Sequence, residues 1–235
     1  MKHFLRTQLD RYFGHFARRN EIENLRQQVA CIAELQLAIP LPMPLGKLGG
    51  WALSADALVY VVRDIRKHRP PLVIEFGCGV STIVLAALLK TLDGGLLISI
   101  EHDLEYLKLV KDELASYDLT SFVEQRHMPL VSFTPSSPLA SCQSYDLRGL
   151  DLDFDVAVVD GPITSKFGAA TRLAPLEWCA VRLHPGATVY LDDADRAEER
   201  QVVEALLARQ LDIKAENLVA EKGLVRLTRH ALTAA

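Results

Sequence analysis

Residues 72–82 read Leu72-Val73-Ile74-Glu75-Phe76-Gly77-Cys78-Gly79-Val80-Ser81-Thr82. Leu72–Phe76 is a β-branched, apolar run of strand length carrying a single carboxylate, and Ile83 to Leu89 continues past the turn as a helix. Gly77 and Gly79 stand between the two. A glycine turn from a parallel strand into a helix lets a ligand approach the backbone, at the strand end where open α/β sheets hold nucleotides. This stretch therefore predicts a doubly wound α/β fold with a ligand crevice at the turn.

The dinucleotide fingerprint is Gly-x-Gly-x-x-Gly, whose third glycine lets helix and strand pack tightly around a pyrophosphate. Thr82 occupies that third position, and Glu75 lies two residues before the first glycine. A carboxylate there crowds a pyrophosphate but suits a ligand with an ammonium group and no phosphate. The pattern Glu75-Phe76-Gly77-Cys78-Gly79-Val80-Ser81-Thr82 resembles the first motif of class I S-adenosylmethionine-dependent methyltransferases. The resemblance implies S-adenosyl-L-methionine as cofactor, with Glu75, Gly77, Cys78, Gly79, Ser81 and Thr82 around it.

Composition sets the outer bounds. A chain of 235 residues, 49% hydrophobic and 24% charged, has the size of one globular α/β domain with an appendage. A net charge of −4 makes no case for nucleic acid as a partner. Cys31, Cys78, Cys142 and Cys179 are scattered without a Cys-x-x-Cys pair, which argues against zinc or disulfides and suits the cytoplasm. No run reaches the ~18 apolar residues of a membrane span, and the N-terminus lacks the apolar core of a signal peptide.

Residues 1–45 read as a helical extension ending in the linker Pro40-Leu41-Pro42-Met43-Pro44, and residues 46–235 as the main domain. Lys2, Arg6, Arg11, Arg18 and Arg19 face only Asp10 in the first nineteen positions, with Leu5, Leu9, Tyr12 and Phe16 at helical spacing. Such a helix suits packing on its own domain or on a second subunit, giving a homodimer, or peripheral contact with an anionic membrane. Ser54 reads as the N-cap of a helix to about Lys67. Strands follow at 72–76, 96–100, 122–126, 154–160 and 187–191, separated by helices at 83–90, 104–116, 169–181 and 197–209. Residues 128–150, rich in proline and serine, read as a long loop. Segments 213–220 and 224–228, joined by Glu221-Lys222-Gly223, read as a closing antiparallel pair. The expected architecture is Rossmann-like: a mostly parallel seven-stranded sheet with an antiparallel last strand and helices on both faces.

Four features fall at the carboxyl ends of these strands. The glycine turn follows the first, and Glu101 follows the second, where a carboxylate accepts ribose hydroxyls. Asp160-Gly161-Pro162 follows the fourth and Asp192-Asp193 the fifth. Carboxylates converging on one cleft need a neutralising cation or proton, and oxygen ligands suit Mg²⁺ or Ca²⁺. The set resembles catechol O-methyltransferase-like enzymes, which implies Asp160, Asp192 and Asp193 as metal ligands. The lysine which that family places just after the fourth-strand aspartate has no match at the same spacing; Lys166 lies further along.

A closer resemblance is to bacterial methyltransferase-fold proteins, often glycan-tailoring, that carry Gly50-Trp51-Ala52-Leu53-Ser54, Val159-Asp160-Gly161-Pro162 and Leu191-Asp192-Asp193-Ala194-Asp195-Arg196. It implies methyl transfer to a small-molecule or glycan-type hydroxyl, with Asp160, Lys166 and His102 as catalytic candidates. Glu101, His102, His127, Met128 and Asp160 complete the expected cofactor contacts. Tyr145 is a further candidate for substrate contact, Arg196 suits an anionic substrate group or a local salt bridge, and Trp51 suits a cofactor wall or plain packing. The acidic residue many methyltransferases use for the adenine amino group is missing from Glu124-Gln125-Arg126-His127-Met128-Pro129. Two other readings stay open: an S-adenosylmethionine-binding scaffold without turnover, and an NAD-dependent oxidoreductase, which Glu75 and Thr82 disfavour.

Overall fold

Strands that are apolar throughout need cover on both faces, and the helices between them supply it. The computed structural model describes residues 21–40, 45–209 and 212–229. Its strands are β1 (Leu72–Phe76), β2 (Leu96–Glu101), β3 (Val123–His127), β4 (Leu130–Phe133), β5 (Cys142–Tyr145), β6 (Val156–Val159), β7 (Thr188–Asp192), β8 (Ile213–Leu218) and β9 (Leu224–Arg229). Seven of them form one sheet in the order β3-β2-β1-β6-β7-β9-β8. All neighbours run parallel except at β9, which is antiparallel to both β7 and β8. Strand order reverses between β1 and β6, where such sheets open a crevice.

The helices are α1 (residues 21–38), α2 (Ala55–His68), α3 (Val80–Thr91), α4 (Leu104–Ser116), α5 (Thr164–Phe167), α6 (Leu173–Arg182) and α7 (Ala197–Leu207). Residues 81–89 of α3 are all buried, so this helix is sunk between the sheet and its neighbours. Alternation along β1 sends Val73 into the core beside α3, and Ile74 and Phe76 into the core beside α6. Cys31, Leu35 and Ala38 of α1, and Ile39 just after it, join the α3-side core. Its outer stripe of Ile22, Leu25 and Val29 stays exposed. Residues 1–20, the basic amphipathic stretch read as a dimer or membrane contact, lie outside the described residues, as do 41–44 of the linker. No described helix is long and apolar enough to cross a membrane.

Three local expectations change. Ser54 stands at the N-cap of α2, but its hydroxyl makes no capping bond. Gln28 of α1 caps the helix instead, its Oε1 accepting from the Ala55 (2.9 Å) and Asp56 (3.4 Å) amides. Residues 128–150 are not one loop: β4 and β5 pair as a separate hairpin, Leu130 opposite Tyr145 and Phe133 opposite Cys142. Each strand is only four residues of mixed polarity, too short to sustain a periodic signal. The helix expected over 169–181 is α6, shifted to Leu173–Arg182 and preceded by the single turn α5, with Gly168 as the C-cap of that turn.

Candidate active site

A cavity of about 370 Å³ opens at the carboxyl ends of β1, β2 and β6. That volume is within the ~300–1,000 Å³ of small-molecule sites. Gly77 and Cys78 form its floor, Glu101, His102 and Tyr106 one wall, and Asp160, Pro162 and Lys166 the other. Trp51, 76% exposed, stands at its mouth.

Two turns meet back to back beneath the cavity. Gly77 has φ +99°, and a Cβ there would lie 2.8 Å from the Gly161 nitrogen. A Cβ on Gly161 would lie 3.0 Å from Gly77 Cα and 2.5 Å from the Tyr145 hydroxyl. The Gly77 amide donates to the Ile100 carbonyl (2.8 Å) and the Gly161 amide to the Phe76 carbonyl (2.7 Å). Both glycines are therefore required by close backbone approach, and together they line the cavity.

Glu75 does not face this cavity. It is fully buried behind the turn, accepting hydrogen bonds from Ser81, from Thr82 (2.6 Å) and from Ser99 (3.2 Å). Glu75, expected to meet a cofactor ammonium, is instead held by Ser81 and Thr82 beneath the turn, away from the cavity. The cause is strand alternation: odd residues of β1 point toward α3, whose first turn carries those hydroxyls. Thr82 also accepts from the Gly79 amide (2.9 Å), so the residue replacing the third fingerprint glycine braces the turn.

Burial pushes the Glu75 carboxyl up to about 7, although the three hydroxyls pull it down. An acid whose folded value is raised stabilises the fold fully below its ordinary range of ~4.5 and loses that contribution as pH climbs toward 7. Glu75→Gln, which cannot ionise, should lack this loss. Between pH 5 and 8 the stability of wild type relative to Glu75→Gln is expected to fall by on the order of 3 kcal/mol. Urea melts of both proteins across that range check it; parallel pH profiles would contradict it.

Glu101 is buried at the cavity wall. Its Oε1 accepts from the amides of His102 (2.7 Å) and Asp103 (2.8 Å), and its Oε2 from the Cys78 amide (3.2 Å). Burial raises its pKa, but the His102 imidazole, with Nδ1 2.7 Å from Oε1, and the backbone donors outweigh burial and leave it below the ordinary range. It is held ionised, with acceptor capacity left on Oε2 for a ligand hydroxyl.

Asp160, Asp192 and Asp193 do converge, each offering an oxygen within 4.8 Å of the others. The chain's own cations are already among them. Arg172, 3% exposed, donates to Asp193 Oδ2 (3.0 Å) and lies 3.5 Å from Asp160 Oδ1. Lys222 Nζ donates to Asp192 Oδ2 at 2.9 Å and lies 3.3 Å from Asp193 Oδ1. Burial, then the Asp192 charge, pushes Asp160 up to about 8 against the pull of Arg172 and Lys222. Burial also raises Asp192, which Lys222 restrains. Two cations are thus bonded to the acidic pair, while Asp192 Oδ1 and Asp193 Oδ1 accept no hydrogen bond.

The remaining residues divide. His102 lines the cavity, its ring edge-on to Phe167 (5.0 Å) and Tyr145 (6.1 Å). His127 is exposed, its Nε2 3.0 Å from the His102 carbonyl, and Met128 is half-buried with its amide on the Glu101 carbonyl (2.8 Å); neither lines the cavity. Lys166 does line it, from α5, with Nζ 4.9 Å from the Phe167 ring centre. Tyr145, delivered by the hairpin, is buried at the wall and its hydroxyl has no partner. Arg196 pairs with Asp193 (2.9 Å), the local salt-bridge role. Arg172 and Lys222 are the residues the sequence reading missed. Their only sequence trace is the demand that clustered carboxylates be neutralised.

A family model described as a methyltransferase domain matches residues 74–194, just over half of the chain. No curated protein matches the sequence. Among solved structures, an S-adenosylhomocysteine-bound methyltransferase from Podospora anserina superposes with TM-score 0.61 at 11% identity, over 92% of this chain and 96% of that one. A Bacillus cereus O-methyltransferase in complex with S-adenosylhomocysteine gives 0.57 at 16%, covering 86% and 91%. The O-methyltransferase of tomaymycin synthesis from Streptomyces achromogenes, in complex with S-adenosylmethionine, gives 0.53 at 19%, covering 86% and 90%. At these identities the likeness is one of fold.

Proposed function

The chain belongs to the methyltransferase-domain family whose model spans residues 74–194, and on that premise we propose that it methylates a hydroxyl of a small-molecule or glycan-type acceptor with S-adenosylmethionine as donor. The observation that carries the reading is the convergence of the Gly77–Gly161 cradle, the ionised Glu101 and the Asp160 side chain on one cavity.

A bound sulfonium cofactor supplies an already activated methyl group, so the protein's task is chiefly alignment. Glu101 Oε2 offers an acceptor for a ribose hydroxyl, and the glycine cradle lets the ligand lie against backbone. The partnerless Tyr145 hydroxyl offers a donor to either ligand. Asp160 faces the cavity at its acceptor end, with a carboxyl positioned to take a hydroxyl proton. Lys166 and His102 flank it, the former as a cation for an acceptor group. Divalent-metal assistance is not part of the proposal, because Arg172 and Lys222 already engage Asp192 and Asp193. Four free cysteines suit a reducing cytoplasm.

S-adenosylhomocysteine is expected to raise the melting temperature by several degrees, and NAD to leave it unchanged. Stabilisation by NAD alone would replace the methyl-donor reading with the oxidoreductase one. Transfer of labelled methyl from the donor into a panel of hydroxylated acceptors then tests turnover.

A further inference from the structure

The cation balancing the carboxylates after β6 and β7 arrives from a distant turn. Register places Leu224 of β9 opposite Asp192 of β7, so the β8–β9 turn caps the end of β7. There the Ala194 amide donates to the Gly223 carbonyl (3.1 Å) and the Asp195 amide to the Lys222 carbonyl (3.0 Å). These two backbone bonds fix the root of Lys222. Its Nζ then bonds Asp192 Oδ2 and the Ala52 carbonyl, both at 2.9 Å, beside Asp193 Oδ1 at 3.3 Å. All three are oxygen contacts, as a hard cation prefers.

Arg172 closes the cluster from the other side. Besides Asp193 and Asp160 it reaches the Asp192 carbonyl (3.0 Å), the Pro162 carbonyl (3.2 Å) and Glu199 (3.6 Å). The carboxylates of Asp160, Asp192, Asp193 and Glu199 are thus met by Arg172, Lys222 and Arg196. The residual negative charge of the cluster is that of one group. A divalent ion on this pair would sit against the ammonium charge, although Asp192 Oδ1 and Asp193 Oδ1 accept no hydrogen bond.

We infer that Lys222 is a resident replacement for a divalent cation: its ammonium, supported by Arg172, holds the acidic pair and Asp160 in place, and methyl transfer at this site runs without a metal. Lys222 acts through Asp192 and Asp193 and is a positioning residue. The inference rests on the methyl-transfer reading for its consequence, but the cation question is separable.

Mn²⁺ titration of chelator-stripped protein, read by the paramagnetic signal of free ion, tests it. Wild type is expected to bind no stoichiometric Mn²⁺. Lys222→Ala opens the site and should bind one ion, with affinity at least roughly 10-fold above wild type, and Mn²⁺ should restore its melting temperature. Lys222→Arg keeps a cation and should exclude the ion. Folding of Lys222→Ala only with Mn²⁺ present would support the inference equally. Stoichiometric Mn²⁺ on wild type that Asp192→Asn removes would overturn it, as would Lys222→Ala gaining nothing. The S-adenosylhomocysteine melting shift, run on the same wild-type sample, separates the two ideas: no shift with Mn²⁺ still excluded rejects the donor reading and leaves the Lys222 assignment standing.

Discussion

Arg172→Ala is expected to cost about 3–5 kcal/mol of stability, the loss seen when one partner of a buried ionic cluster is removed. The guanidinium is almost wholly buried and reaches three carboxylates and two backbone carbonyls. Its deletion leaves Asp160, Asp193 and Glu199 facing one another with one cation fewer. The deficit should shrink as pH falls from 8 to 5, because protonating the crowded carboxylates removes the repulsion. Arg172→Lys should recover only part of the loss, since one ammonium cannot span Asp193, Glu199 and the Pro162 carbonyl together. Denaturant melts of the three proteins at both pH values test this. A loss below about 1 kcal/mol, independent of pH, would show that the cluster relaxes without its cation.

What was legible in the sequence follows from which interactions are local. The order of strands and helices is written in short periodic segments, each of which buries its own apolar face. The glycine turn, Glu101, Asp160 and the Asp192–Asp193 pair are placed by their position at strand ends, and all four lie around the same crevice or its acidic rim. What failed was mostly decided by how separate elements meet. Glu75 reads as a ligand contact until α3 folds back and presents Ser81 and Thr82 to it. The N-cap of α2 is invisible because Gln28 supplies it from another helix. Lys222 lies 30 positions from Asp192 and reads only as a turn residue. The β4–β5 hairpin is illegible because its strands are too short to show a period, yet it brings Tyr145 to the cavity.

The same separation explains how the site is assembled. Gly77 and Gly161, 84 positions apart in sequence, follow strands that are adjacent in the sheet. Their contact fixes the distance between the floor of the cavity and Asp160. The acidic pair is set one strand further along and tied to Asp160 through Arg172. The proposed ligand cradle and the proposed proton acceptor are therefore mechanically linked, and a change at the glycine contact should move both.

Gly77→Ala is expected to abolish binding of S-adenosylhomocysteine and to cost about 3 kcal/mol or more of stability, strain and overpacking together. The backbone at φ +99° lies where side chains are rarely tolerated, and the new methyl would stand 2.8 Å from the Gly161 nitrogen, a backbone atom that cannot swing aside. Relief requires β1 and β6 to part at their ends, which breaks the Gly161 amide bond to Phe76. Gly161→Ala should damage the protein comparably but for a second reason, since its methyl would also strike the Tyr145 hydroxyl at 2.5 Å. Adding Tyr145→Phe should recover part of that loss in Gly161→Ala and none in Gly77→Ala. Gly94→Ala, where an added Cβ meets nothing within 4 Å, is the control and should melt like wild type. Calorimetric titration with S-adenosylhomocysteine and thermal melts of the set decide the matter. If Gly77→Ala matches Gly94→Ala in both, the back-to-back contact does not organise the cavity.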